Sequence, residues 1–172
     1  GALTASATTI ITVGTPIPPA GPDTPVIFAP QVATEVAVLE PELFVTSSGN
    51  PLDTATSYHF QVFADAGFQA LVAERQNVAR GLSTTFWKVP LALADNTQYY
   101  WRVRASDGTT FSAWAVGRFF VNTANDAPSA PQLATPSNGT TVAVTGPTLA
   151  VTHSVDPEGE TVVYGFEVYT DS

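Results

Sequence analysis

The chain has 172 residues, 6 basic against 15 acidic side chains, a formal net charge of −9, no cysteine and no methionine. The missing cysteines exclude a disulfide framework, a thiol nucleophile and a thiolate metal site, and the acidic balance argues against nucleic acid, whose phosphates need a broad basic surface. An apolar content of 44% supports a core, 14 prolines disfavour long helices, and no apolar run reaches membrane-spanning length.

Taken from the start, Gly-Ala-Leu-Thr-Ala-Ser-Ala-Thr-Thr lacks the basic n-region of a signal peptide, so a secreted protein would carry it as a mature or internal segment. Thr8–Thr15 reads as a lone final strand, and residues 1–15 are expected to close a sandwich that precedes them or that a partner completes. Residues 16–24, rich in proline, read as a stiff extended linker. Strand A is predicted at 26–28 with a second part at 35–38, and strand B at 42–47 with Leu43 and Val45 on one face. Strand C is predicted at 57–64, with Tyr58, Phe60 and Val62 one way and His59 and Gln61 the other. A short strand near 70–74 follows, then strand E at 83–89 with Phe86 or Trp87 inward. Strand F is predicted at 97–106, alternating Tyr99, Trp101, Val103 and Ala105 with Tyr100, Arg102, Arg104 and Ser106. Strand G is predicted at 117–122. Seven short strands punctuated by proline and glycine predict two packed sheets over residues 25–123.

A second linker is expected at 124–130, and what comes after it repeats what came before. Pro25, Pro30, Val36, Leu43, Val45, Tyr58, Phe60, Val62 and Asp65 recur 106 residues on as Pro131, Pro136, Val142, Leu149, Val151, Tyr164, Phe166, Val168 and Asp171, without a gap. A period near 100 residues suits one sandwich per repeat. Residues 131–172 are then expected to be strands A to C of a second sandwich, with Leu149, Val151, Tyr164, Phe166 and Val168 lacking the strands that would cover them.

Charge follows the same division. All six bases (Arg75, Arg80, Lys88, Arg102, Arg104 and Arg118) lie within 75–118, where Asp95 and Asp107 are the only acids, a balance of +4. Residues 1–74 carry −7 and residues 119–172 carry −6. Balance between facing strands of one domain explains this, and so does steering of one subunit's late half toward another's early half. Arg102 and Arg104 share the outer face of strand F, expected to be solvated or against a neighbour, because unpaired buried guanidinium groups are costly.

Leu93-Ala94-Asp95-Asn96-Thr97-Gln98-Tyr99-Tyr100-Trp101-Arg102-Val103-Arg104-Ala105 resembles the E–F corner and F strand of fibronectin type III domains. The resemblance covers 25–123 fully and 131–172 in part. It puts Tyr99 at the tyrosine corner, whose hydroxyl bonds to upstream backbone. It departs at strand B, where the family's core tryptophan is missing, so that Phe44 or Val45 must fill the space with help from Trp101 and Trp114. Ser112-Ala113-Trp114 and the Asn-Asp-Ala-Pro of the second linker resemble tandem repeats of bacterial surface and secreted proteins. The resemblance implies an all-β, fibronectin type III/immunoglobulin-like β-sandwich, one complete repeat flanked by a partial repeat at each end.

Chemistry is sparse. His59 and His153 belong to no recognisable catalytic motif, and neither a nucleophile elbow, a phosphate loop nor a zinc-protease helix occurs. No catalytic, cofactor-binding or metal residue is assigned, and no cofactor is expected. Asp156, Glu158 and Glu160 place carboxylates at alternate positions of a loop, a pattern that suits calcium or merely a solvated turn. Tyr100, Trp114 and Trp87 offer rings for a sugar or for packing, and Asn138-Gly139-Thr140 is a formal glycosylation sequon. The expected role is non-enzymatic: an extracellular or cell-surface stalk or spacer, or a filament subunit joined by β-strand addition. An adhesin, a carbohydrate-binding module or an accessory domain of a secreted enzyme is the alternative. The expected partners are other copies of the chain or neighbouring repeats, with a carbohydrate or protein ligand as a further option, and neither nucleic acid nor a membrane span is expected.

Overall fold

The computed structural model describes Gly1, residues 21–46 and residues 53–170. The strand predicted at 8–15 and most of the first linker lie outside the described residues. Among those described there is no helix.

Residues 26–121 form a fibronectin type III-like β-sandwich. Strands β1 (Val26–Ala29), β3 (Glu42–Thr46) and β6 (Thr84–Lys88) make one sheet in the order β1-β3-β6. Strands β2 (Thr34–Val36), β4 (Ser57–Phe63), β5 (Leu71–Ala79), β7 (Thr97–Ser106) and β8 (Ala115–Val121) make the other, ordered β2-β8-β7-β4-β5. The predicted strand A is thus shared between the sheets. Pro30 cannot donate to a ladder and Ala33 sits at φ 64°, so the chain leaves the first sheet and crosses to the second. There β2 runs parallel to β8, with Thr34 opposite Phe119 and Val36 opposite Val121.

Period-2 patterning sets what is inside. Leu43 and Val45 of β3 face Tyr58, Phe60 and Val62 of β4 and Tyr99, Trp101 and Val103 of β7, all at most 5% exposed. The aromatic centre is Phe60, stacked parallel on Trp101 at 6.4 Å and tilted against Trp87 at 6.0 Å. Each such ring contributes about 1.5–3 kcal/mol by leaving water. Gly117 lies opposite Trp101 in the β7–β8 ladder, and a Cβ there would meet the indole Nε1 at 2.6 Å. The ring therefore occupies the volume a side chain would need.

The choices left open at the sequence level resolve here. Val45 fills the space under strand B, while Phe44 points outward and stacks on its cross-strand neighbour Phe86 at 5.4 Å. Trp87 is the inward residue of β6, since Phe86 is 53% exposed. Trp101 belongs to the core and Trp114 does not. β5 extends to Ala79, well past the predicted end at 74, because after Ala73 this edge strand is exposed except at Val78 and shows no apolar alternation to read. The tyrosine corner is present: the Ala94 amide donates to the Tyr99 hydroxyl at 3.0 Å. At the opposite end Arg80 Nη1 reaches the buried carboxylate of Asp53 at 3.4 Å and the Ala55 carbonyl at 3.0 Å, so the charge is paired and hydrogen-bonded.

Beyond Val121 a second, smaller pairing forms between β9 (Leu133–Thr135) and β10 (Ala150–Val151). Thr135 faces Ala150 and Leu133 faces Val151, just as Ala29 faces Phe44 and Ile27 faces Val45 in β1–β3. Every partner is 106 residues on, and the irregularity in the ladder falls at the same place. The following run, with Tyr164, Phe166 and Val168 where strand C is predicted, carries no strand among the described residues. Phe166 is 51% and Val168 80% exposed, whereas Phe60 and Val62 are fully buried.

Candidate functional site

The outer face of the five-stranded sheet carries the most developed side-chain arrangement. Residues two apart on a strand share a face and stand about 7 Å apart, enough for one ring between them. Arg102 and Arg104 of β7 use that spacing. The guanidinium carbon of each lies 4.4 Å from the centre of the Trp114 ring. Phe111 continues the stack beyond Arg104 at 3.8 Å, and Phe63 and Phe68 continue it beyond Arg102 at 5.0 and 5.1 Å. Cation and ring alternate along the face, each contact contributing about 0.5–2 kcal/mol according to its exposure.

Several local devices bring these rings into place. Phe68 sits at φ 55° in the β4–β5 turn, a conformation a bulky residue rarely adopts. Asp65 holds that turn by accepting from the amides of Gly67 (3.0 Å), Gln69 (2.9 Å) and Ala70 (2.6 Å). Those bonds, the Ala70 amide first, keep the Asp65 carboxyl below its usual range. On the other side Asp107 accepts from the amides and hydroxyls of Thr109 and Thr110, which fixes the turn before Phe111 and lowers the Asp107 pKa strongly. The Ser112 hydroxyl accepts from the Ala105 amide at 2.9 Å, which carries Trp114 back over β7.

Hydrogen bonds fasten the stack to β4 and β5. Arg102 Nε donates to Gln61 Oε1 at 2.8 Å. Arg104 Nη2 lies 3.4 Å from His59 Nδ1, and His59 Nε2 lies 3.1 Å from Glu74 Oε2. Arginine can only donate, so Nδ1 accepts and the imidazole proton sits on Nε2, facing Glu74. The Gln61 amide also donates to Glu74 at 3.0 Å. That bond first, and His59 next, hold the Glu74 carboxyl below its usual range. His59 is on the outer face as the alternation predicts, yet it is 7% exposed, with Trp114 at 5.3 Å.

Arg102 and Arg104 stand on the outer face as expected and are half-buried, covered in part by aromatic rings of their own chain. The signal was present as Ser112-Ala113-Trp114 and the Arg-x-Arg of strand F, but the link between them is spatial. The Trp114 ring has two guanidinium groups 4.4 Å from its centre, and Trp87 packs on the core. Tyr100 remains half-buried beside Val116 and Arg118. Asp156 accepts from the amides of Glu158 (3.1 Å) and Glu160 (2.9 Å), and the Glu158 carboxylate accepts from the Asp126 amide at 3.0 Å. The three acids thus shape a turn, and no group of three or more His, Asp or Glu among the described residues is placed to hold a metal. His153 lies apart from His59, near the Tyr164 ring.

No family model and no curated protein sequence matches the chain. Solved structures similar to it include CopC from Methylosinus trichosporium OB3b, 16% identical over 57% of this chain and 93% of that one, with a TM-score of 0.41. FN3tt is 15% identical over 61% of this chain and 99% of its own, with a TM-score of 0.41. The twitchin kinase region from C. elegans is 14% identical over 59% of this chain and 17% of its own, with a TM-score of 0.37. Likeness at this level carries no argument about function. Among the described residues no helix is long and apolar enough to cross a membrane.

Proposed function

We propose that this chain is a non-catalytic structural module of an extracellular bacterial protein, built of tandem fibronectin type III-like sandwiches and acting as a stalk or spacer. The observation that carries the reading is the β9–β10 pairing, which repeats the β1–β3 register position for position. A chain that repeats its strand register after a proline-rich junction is building a second unit of the same kind. The proline-containing junction at 124–130 is of the type that limits bending between units.

The uncovered side chains Phe166 and Val168, buried at the equivalent positions Phe60 and Val62, favour a second version of the same reading. In it, further strands cover this face, either from an adjoining repeat or from another copy by β-strand addition. Small-angle scattering tests the spacer. Appending one further copy of residues 25–123 should lengthen the particle by roughly a strand, about 33 Å for ten residues. A chain that folds back to the same maximum dimension contradicts it. Light scattering on the 172-residue protein at high salt, where contacts resting on charge are screened, separates the two versions, since strand addition produces species above 18.0 kDa and a plain spacer does not.

A further inference from the structure

The charge segregation of the sequence has a definite place in the fold. Arg102, Arg104 and Arg118 all stand on the outer face of the five-stranded sheet, since Trp101, Val103, Gly117 and Phe119 take the inner one. Among the described residues none of the three has a carboxylate partner. Arg104 Nε is buried with no acceptor. Beside Arg118 a hollow of about 260 Å³ is lined by Val32, Phe68, Tyr100 and Val116. Arginine and tyrosine beside an apolar hollow are among the side chains that dominate binding surfaces. Stacking has already ordered the two guanidinium groups, so less freedom is lost when an anion arrives.

The opposite charge lies in the acidic turn Asp156–Glu160. Its shape is fixed by the Asp156 hydrogen bonds, and no lysine or arginine occurs between 119 and 172 to neutralise it. Among the described residues the turn makes no ion pair with the arginines of its own chain. Glu158 is tied to the Asp126 amide, and the Asp126 carboxylate accepts from the Asn96 side chain at 2.7 Å. Asn96 precedes β7, so Arg102 and Arg104 lie roughly 20–26 Å further along the strand and Arg118, opposite Tyr100, about 13 Å.

We propose that the outer face of the five-stranded sheet, around Arg102, Arg104 and Arg118, docks the acidic Asp156–Glu160 turn of a second copy of this chain. The two surfaces differ, so the contact is head-to-tail and propagates. It rests on charge and not on strand pairing, and thus stands apart from strand addition.

Sedimentation velocity on the full chain at low and physiological salt tests the proposal, because screening shortens from about 30 Å at 0.01 M to about 8 Å at 0.15 M. Association at low salt that weakens with added salt is expected. Arg118→Glu and Glu160→Lys, both at exposed positions outside the stack, should each weaken it roughly fivefold or more. An equimolar mixture of the two variants should recover association, because the native Arg118 face of the Glu160→Lys variant meets the native Glu160 turn of the Arg118→Glu variant. A monomer at every salt and concentration overturns the proposal, and so does association that Arg118→Glu leaves unchanged, which is the strand-addition result. Salt-sensitive retention on heparin, lost in Arg118→Glu, with no self-association would replace the second copy by an anionic polymer and equally overturn it.

Discussion

Gly117 shows how a single position couples sheet and core. It is buried in β8 with the indole of Trp101 where a side chain would start, and Ile27 of the facing sheet 3.1 Å from the same point. Gly117→Ala must push the fully buried Trp101 or open the two sheets. Overpacking of this kind costs about 1–3 kcal/mol, so the denaturant midpoint should fall with little change in slope. A glycine in a predicted strand suggests close approach of another group, but which ring approaches is visible only in the register. The same holds for His59. Alternation placed it on the outer face, while its burial comes from Trp114, a residue 55 positions later.

At the level of single elements, the turns depend on carboxylates that accept amide hydrogen bonds. Asp107 and Asp65 shape the turns before Phe111 and around Phe68, and Asp95 accepts from the Thr123 hydroxyl and amide after β8. In each, these bonds lower the pKa below the unfolded value. A carboxyl with a depressed folded pKa binds fewer protons when native. Its contribution is complete above the unfolded pKa of about 3.9 and is lost as pH falls through the folded value. Thermal stability is therefore expected to be flat with respect to these groups above about pH 5 and to decline below about pH 4. Asp107→Asn should flatten the acid limb of a melting-temperature profile, and an unchanged limb would assign the decline to other groups. Most strands were legible from period-2 alternation, since β3, β4, β7 and β8 each bury one face. β5 was underestimated because it buries so little, and the two parts of strand A were legible but not their division between the sheets, because a crossing leaves no periodic trace. The aromatic–arginine stack was half legible: its arginines were assigned to the right face, but the rings that cover them arrive from the end of β4, two turns and a loop.

For the whole molecule, burial is uneven. The sandwich of residues 26–121 encloses a continuous apolar centre, whereas Leu133, Val155, Val163, Phe166, Val168 and Tyr169 are all more than half exposed. Hydrogen exchange follows local opening free energy, so amides of β4, β7 and β8 should exchange by global unfolding and those of 152–170 far faster. Equal protection in both regions would show that the second unit is covered in solution. The difference also separates the reading of the two units: in 26–121 the pattern and the packing agree, while in 131–170 the same pattern lacks the strands to pack on.

The parallel pair β2–β8 has one last consequence. β2 lies near the beginning of the sandwich and β8 at its end, and they are hydrogen-bonded side by side in the same direction. Tension along the chain would pull the start of β2 and the finish of β8 opposite ways. Their bonds would then be loaded together in shear instead of opening one by one like a zip, and a short edge pairing becomes the latch that resists extension.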